Sequence, residues 1–317
     1  MDSWLYFDIC QTGNSHIARG RDCEDFSISG KKRNCVYAIV CDGHGGDRHF
    51  RSEYGSKICA SVIEQAICEL AENNKLENLL ENTKKKLEGL VDNIIYSWGK
   101  NVDEDTKKRP WPPQNEARWE MVTPDDKEAF KSHFDLYKYI AYGTTFKFAC
   151  VIEGKFWFCI QLGDGTICYH RNGKYEIADN LLSEDLKDRA SSSKITASIC
   201  DSYANRYVLY DWGTEENMPD MILCMTDGVD DAKAMNVISV EDELNDDEKY
   251  SDFLQDKTHN YFSFVKEKIL KNIFPLKRDD AIEVERLKNE IKTLCEEDFH
   301  YHDDISISGL IKKDFYK

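Results

Sequence analysis

Cys35-Val36-Tyr37-Ala38-Ile39-Val40-Cys41-Asp42-Gly43-His44-Gly45-Gly46-Asp47 joins two unlike halves. The first seven residues are apolar, rich in β-branched and aromatic side chains, and stop abruptly at an Asp-Gly pair. Such a run, bounded by turn residues, reads as a buried strand. The second half opens on a carboxylate and carries Gly43, Gly45 and Gly46. An aspartate at a strand end is held rigidly, and glycines let a ligand approach the backbone closely. Taken alone, a tight turn with a solvated aspartate explains the segment equally well.

Other aspartates repeat the arrangement. Asp164 lies in Leu162-Gly163-Asp164-Gly165, between two strand-like runs. Asp227 follows the apolar run Met221 to Met225, and Asp303-Asp304 immediately precede Ile305 to Ile311. If these strands share one core, their ends bring the carboxylates together. A cluster of unpaired carboxylates repels itself, so divalent cations are the natural counter-charge. Ligands made of oxygen alone suit Mg²⁺ or Mn²⁺ better than Zn²⁺.

Strand-like runs recur at Leu5 to Cys10, Asp25 to Ser29, Thr144 to Ile152, Lys155 to Leu162, Thr166 to Arg171, Arg206 to Tyr210, Met221 to Thr226 and Ile305 to Ile311. Helical stripes run through Ile58, Val62, Ile63, Ala66, Ile67 and Leu70, and again from Leu76 to Trp98. Later helices are predicted over Phe262 to Phe274 and Ile282 to Cys295. Lys100 to Asp126, with Pro110, Pro112 and Pro113, and the acidic Val240 to Asp256 read as loops or insertions. Strands, two helices, then a strand cluster fit an antiparallel α+β layered fold.

Composition narrows the function. The 317 residues are 41% hydrophobic and 12% aromatic, enough for a sizeable core. Forty-two basic against 59 acidic residues give a net charge of −17. That excludes nucleic acid and anionic membranes as main partners, which need clustered Lys and Arg. It also repels phosphate unless cations sit at the site. The twelve cysteines include no Cys-x-x-Cys pair and read as reduced core residues of a cytoplasmic protein. The Met1-Asp2-Ser3-Trp4 start has no signal-peptide pattern, and no apolar run nears the ~20 residues of a membrane span.

In order along the chain stand Glu24-Asp25, Asp42-Gly43-His44-Gly45-Gly46, Gly143-Thr144-Thr145, Gly163-Asp164, Thr226-Asp227-Gly228 and Asp303-Asp304. This set resembles the metal-dependent serine/threonine protein phosphatases of type 2C, and His16 with Cys23-Glu24-Asp25 is closest to a bacterial subgroup. The resemblance implies an α+β fold, a four-layer α-β-β-α sandwich of two antiparallel sheets flanked by helix pairs. It implies a single phosphatase domain over residues 1–317, with insertions near 100–140 and 235–300. The implied activity is hydrolysis of phosphoserine and phosphothreonine on a phosphorylated protein substrate, by water activated between two Mg²⁺ or Mn²⁺ ions.

The same resemblance assigns residues. Asp42 bridges the two metals, the Gly43 carbonyl binds one of them, and Asp227 and Asp303 complete the other. Glu24 and Asp25 hold metal-bound waters, Asp164 with Asp227 holds a third, weaker ion, and Asp231 stands behind that position. His44 is the general acid. Asp304 replaces the family's usual Asn, so Asp303 and Asp304 compete for the ligand role; Asp303 has the first position of the pair. Gly165 replaces the usual Ser. The phosphate-binding Arg is out of register, leaving Arg19, Arg21 and His16 as alternatives. A catalytically inactive relative that binds phosphoproteins or regulates, a small-molecule phosphoesterase, and a Ca²⁺-binding module are the competing readings. Oligomeric state is not legible.

Overall fold

The computed structural model describes residues 4–73, 76–109, 111, 113, 116–178, 197–229, 285, 289, 303–313 and 315. The strands are β1 Trp4–Gln11, β2 Phe26–Lys32, β3 Cys35–Cys41, β4 Phe146–Ile152, β5 Phe156–Leu162, β6 Thr166–Arg171, β7 Lys174–Ile177, β8 Leu209–Thr214, β9 Met221–Met225 and β10 Ile305–Lys312. The helices are α1 Asn14–Ala18, α2 Ser52–Asn73, α3 Leu76–Leu80, α4 Thr83–Lys108, α5 Ala117–Met121, α6 Pro124–Ser132 and α7 Phe134–Ala141. Two five-stranded sheets form, ordered β1-β10-β9-β6-β7 and β2-β3-β4-β5-β8. Every neighbouring pair is antiparallel.

Strand alternation builds two cores from one strand. On β3, Cys35, Tyr37, Ile39 and Cys41 join α2 and α4 residues such as Ile63, Ile67, Val91 and Ile94. Val36, Ala38 and Val40 point the other way, onto Ile222, Cys224 and Leu310 of the opposing sheet. β3 is therefore buried on both faces, and each fully buried Val, Ile or Phe contributes about 1.5–3 kcal/mol. The result is the predicted α+β arrangement of two packed antiparallel sheets with helices on the outer face of the β3 sheet. Of the helices predicted over 262–274 and 282–295, only Glu285 and Asn289 are described, both helical; the rest of both, and the acidic stretch 240–256, lie outside the described residues. No described helix is long and apolar enough to cross a membrane.

Two sequence expectations are corrected. The strand expected over Arg206 to Tyr210 is a 3-10 turn, Ala204–Tyr207, followed by β8 at Leu209–Thr214. β8 is a sheet edge and mostly half-buried, so its apolar alternation is weak. The loop expected over Lys100 to Asp126 is largely helical: α4 continues to Lys108, and α5 and α6 follow. α6 starts with a cap, Thr123 Oγ1 accepting from the Asp126 amide, with Pro124 in the first turn.

This helical segment is fastened to the sandwich by Arg51. Its side chain is fully buried, donates to Glu116 at 2.6 and 3.0 Å and to the Tyr142 hydroxyl at 3.1 Å, and lies against the rings of Phe50, Trp111 and Tyr142. Trp111, Trp119 and Phe130 pack around Phe50 as part of the core. Glu116→Gln keeps the shape but removes the charge from these hydrogen bonds. It is expected to lower stability by about 1–2 kcal/mol, with faster proteolysis between residues 109 and 124. Urea melts and limited trypsinolysis check this, and an unchanged melt with unchanged cleavage would count against Glu116 as the fastening point.

Candidate metal centre

β3 delivers Asp42 to the edge of the sandwich, and the next strand pair fixes it there. The Asp42 carbonyl accepts from the Thr145 amide at 2.8 Å and the Thr144 hydroxyl at 2.7 Å. Gly43 forms a bridge with Thr144. A Cβ on Gly43 would stand 2.4 Å from the Glu24 carbonyl oxygen, so only glycine permits this approach of two chain segments. The β5–β6 turn carries Asp164, and the end of β9 carries Asp227. One carboxylate oxygen from each of Asp42, Asp164 and Asp227 lies within 4.8 Å of the others.

Electrostatics mark this cluster as incomplete by itself. Burial pushes the Asp42 carboxyl well above the usual carboxylate range, and Asp25 and Asp227 push it further. Burial likewise raises Asp227, reinforced by Asp164 and Asp303. Three hard-oxygen donors, half-buried or exposed and mutually repelling, form a set that fits a divalent cation of the Mg²⁺ or Mn²⁺ kind.

Behind the cluster the pair Asp303-Asp304 divides its labour. Asp304 is buried and accepts from the Gly13 amide at 2.7 Å and the Glu24 amide at 2.6 Å, with His16 Nδ1 at 2.9 Å. Burial pushes its carboxyl up, but the His16 hydrogen bond and the two amides outweigh that and hold it below the usual range. Asp303 accepts from the Asp304 amide at 2.8 Å and acts electrostatically on Asp227. Asp304 is thus consumed in tying the strand segments together, while Asp303, with a carboxylate oxygen within 4.8 Å of ligand atoms of His16 and Asp304, adds negative potential at Asp227. Asp25, also buried, accepts from Thr226 Oγ1 at 2.8 Å, and burial raises its carboxyl strongly.

Glu24 lies beneath the Gly43–Gly46 turn, 1% exposed. Arg118, from α5, reaches its Oε1 at 2.9 Å and donates to Ser52 Oγ at 3.0 Å and the Gly46 carbonyl at 3.3 Å. Burial raises the Glu24 carboxyl to about 7 even though Arg118, His16 and Arg21 pull it down. Arg21 donates to the Gly45 carbonyl at 3.1 Å, whereas Arg19 is exposed. His44 stacks near His49, ring centroids 4.7 Å apart. Burial lowers both imidazoles, His49 to about 3, and His49 Nδ1 sits 2.6 Å from the Ile140 carbonyl.

The family model for protein phosphatase 2C matches residues 12–272. The chain belongs to the protein phosphatase 2C family. No curated protein sequence matches it. Solved structures similar to it include a serine/threonine phosphatase from Staphylococcus aureus, 16% identical, covering 98% of this chain and 95% of that one, TM-score 0.49. A serine/threonine phosphatase from Mycobacterium tuberculosis is 12% identical over 98% of both chains, TM-score 0.48. PppA, a key regulatory component of T6SS in Pseudomonas aeruginosa, is 12% identical over 98% of this chain and 97% of that one, TM-score 0.49.

In this 2C-family chain the fold brings together Asp42, Asp164 and Asp227 directly, with Asp25, Asp303 and Glu24 around them. Asp231 lies outside the described residues. The sequence reading missed Arg118 and Ser52 and gave His49 and Thr226 no part in the site. Each is joined to the site by contacts between segments far apart in the chain, which no local pattern announces. It also missed Lys147, fully buried on β4 among apolar neighbours; a lysine inside a strand of that kind is the one local signal that was available.

Proposed function

We propose that this phosphatase-family chain hydrolyses phosphoserine and phosphothreonine esters on proteins, with two Mg²⁺ or Mn²⁺ ions held by Asp42, the Gly43 carbonyl, Asp227 and Asp303. The reading is supported above all by the meeting of Asp42, Asp164 and Asp227 within 4.8 Å at one end of the sandwich. When bound, the ions supply a nucleophile at neutral pH and stabilise charge at phosphorus. The chain's own part is positioning. Thr144 and Thr145 hold the Asp42 backbone, and Thr226 orients Asp25. Arg118 keeps Glu24 in place beneath the glycine turn. Of the three phosphate-binding alternatives, Arg21 is favoured: its guanidinium, largely buried and near Asp47 and Glu24, donates to the Gly45 carbonyl of the glycine turn, while His16 is engaged with Asp304.

His44 is assigned the proton for the leaving oxygen. Burial keeps it neutral in the free chain, and the negative charge of a bound phosphate is what favours its imidazolium form. A seryl alkoxide needs that proton, whereas nitrophenolate leaves without it. His44→Gln is therefore expected to slow phosphopeptide hydrolysis by about 10²-fold or more while slowing p-nitrophenyl phosphate by less than about tenfold. Equal losses on both substrates would remove His44 from the acid role.

The whole reading is tested by assaying phosphoserine and phosphothreonine peptides beside nucleotides and sugar phosphates, with Mn²⁺ and with EDTA. Turnover of the peptides that needs Mn²⁺ is the expected result. No metal-dependent turnover sinks the enzyme reading, and a preference for the small phosphoesters sinks the protein substrate.

A further inference from the structure

Lys147 is a fully buried lysine inside an acidic site. It sits on β4 between Val40 of β3 and Gln161 of β5, on the face turned toward the opposing sheet. Its Nζ donates to Thr145 Oγ1 at 3.2 Å. Gly165, the residue after Asp164, has φ +81°, and a Cβ there would stand 2.6 Å from Lys147 Nζ. The ammonium thus fills the space that a side chain at position 165 would take, directly under the Asp164 turn and beside the end of β9 that carries Asp227. Beside it, Gln161 Oε1 is buried with no hydrogen-bond partner among the described residues, while its Nε2 closes the same turn through the Gly163 and Gly165 carbonyls. A cation is favourable here only because Asp42 and Asp227 are close, and its charge acts on both.

We propose that the Lys147 ammonium serves as a built-in third cation beneath Asp42, Asp164 and Asp227, so that the site takes two divalent ions and not three. The proposal rests on the metal-dependent reading above. A fixed positive charge neutralises part of the carboxylate cluster before any ion arrives and repels an ion placed next to it. It gives Gly165 a reason, and it lets the chain fold around its acidic cluster without metal.

The experiment counts Mn²⁺ by equilibrium dialysis with metal analysis and by calorimetry, on the wild-type chain and on Lys147→Met, which keeps volume and removes charge. The wild type is expected to bind two ions. Lys147→Met is expected to bind a third, or to bind its weakest ion about tenfold more tightly, and to gain more in melting temperature from Mn²⁺ than the wild type does. A wild-type chain binding three ions overturns the proposal whether or not the variant folds. So does a folded variant with unchanged number and affinity. A wild-type chain that binds no Mn²⁺ instead overturns the metal-dependent reading beneath it.

A separate observation concerns two cysteines outside the core. Cys10, exposed at the end of β1, has its Sγ 3.3 Å from that of the half-buried Cys23, which directly precedes Glu24. We infer that this pair is a peroxide oxidation site. The Cys10 sulfur attacks hydrogen peroxide, forming a sulfenic acid and releasing one water. The Cys23 sulfur then displaces the hydroxyl, which leaves with the thiol proton as a second water, and one S–S bond forms. Closing to the ~2.05 Å of a disulfide draws the Glu24 segment toward β1. Peptide mapping of peroxide-treated protein under non-reducing conditions should show Cys10 joined to Cys23, reversed by dithiothreitol and absent in Cys10→Ser. Both thiols remaining free, or both ending as sulfonic acids without a cross-link, would overturn it.

Discussion

Replacing Asp42 and Asp227 together by Asn is expected to lower Mn²⁺-dependent phosphate ester hydrolysis by about 10³-fold or more, with the fold intact. The two residues supply carboxylate oxygens from different strands to one point. An amide oxygen keeps the shape but loses the charge that holds a divalent ion. The fold survives because neither side chain supports it. Burial and mutual repulsion raise both carboxyl groups, so in the metal-free chain each is a source of strain at neutral pH. The sign follows: a group whose folded value is raised stabilises below its unfolded value of 3.8, and that contribution is lost as pH rises through the folded value. At pH 7 with EDTA, the double variant should therefore melt no lower than the wild type. With Mn²⁺ the order reverses, because a ligand that binds only the folded state stabilises it as its concentration exceeds the dissociation constant. Melting curves with and without Mn²⁺, beside activity, check all three statements. Retained activity would show that the ions are held elsewhere.

Much of this site was legible because its ligands sit where strands stop. An aspartate after an apolar run is visible in the sequence, and Asp42, Asp164 and Asp227 each have that setting. The central strands were legible for the same reason: β3, β4, β5 and β9 are buried on both faces and read as apolar runs, broken only by Lys147 in β4 and Gln161 in β5. β8 was not, because an edge strand with half-buried residues carries no such run. The 100–126 segment was misread because three prolines outweighed the Thr123-Pro124-Asp125-Asp126 start signal of a helix, which was there to be found. Arg118 and Glu116 were beyond reach. Their functions depend on Glu24 and Arg51, and only the packed aromatic cluster around Phe50 brings them near. The division between Asp303 and Asp304 was also undecidable locally, since it turns on the Gly13 and Glu24 amides.

Asp304 is where the second large effect falls, on stability. Asp304→Ala is expected to cost on the order of 3–5 kcal/mol. The carboxylate is buried, receives two backbone amides and pairs with buried His16. Truncation leaves those amides without their acceptor and the imidazole without its partner. Asp304→Asn, which keeps one acceptor oxygen, should cost less. The pH dependence separates the charge pair from the amide bonds. The Asp304 carboxyl is held low, so its contribution is present above its unfolded value of 3.8 and is lost as pH falls through the lower folded value. His16 is raised by its hydrogen bond to Asp304, so its contribution is present below its unfolded value of 6.5 and is lost as pH rises through the higher folded value. The gap between wild type and Asp304→Ala should therefore be widest between 3.8 and 6.5. Above that window it should narrow toward the part owed to the amides. Urea denaturation in EDTA across that range measures it free of any metal contribution. A gap below about 1 kcal/mol at pH 5, or one that widens above neutrality, would mean that the Asp304–His16 pair does not hold the amino-terminal segment to β10.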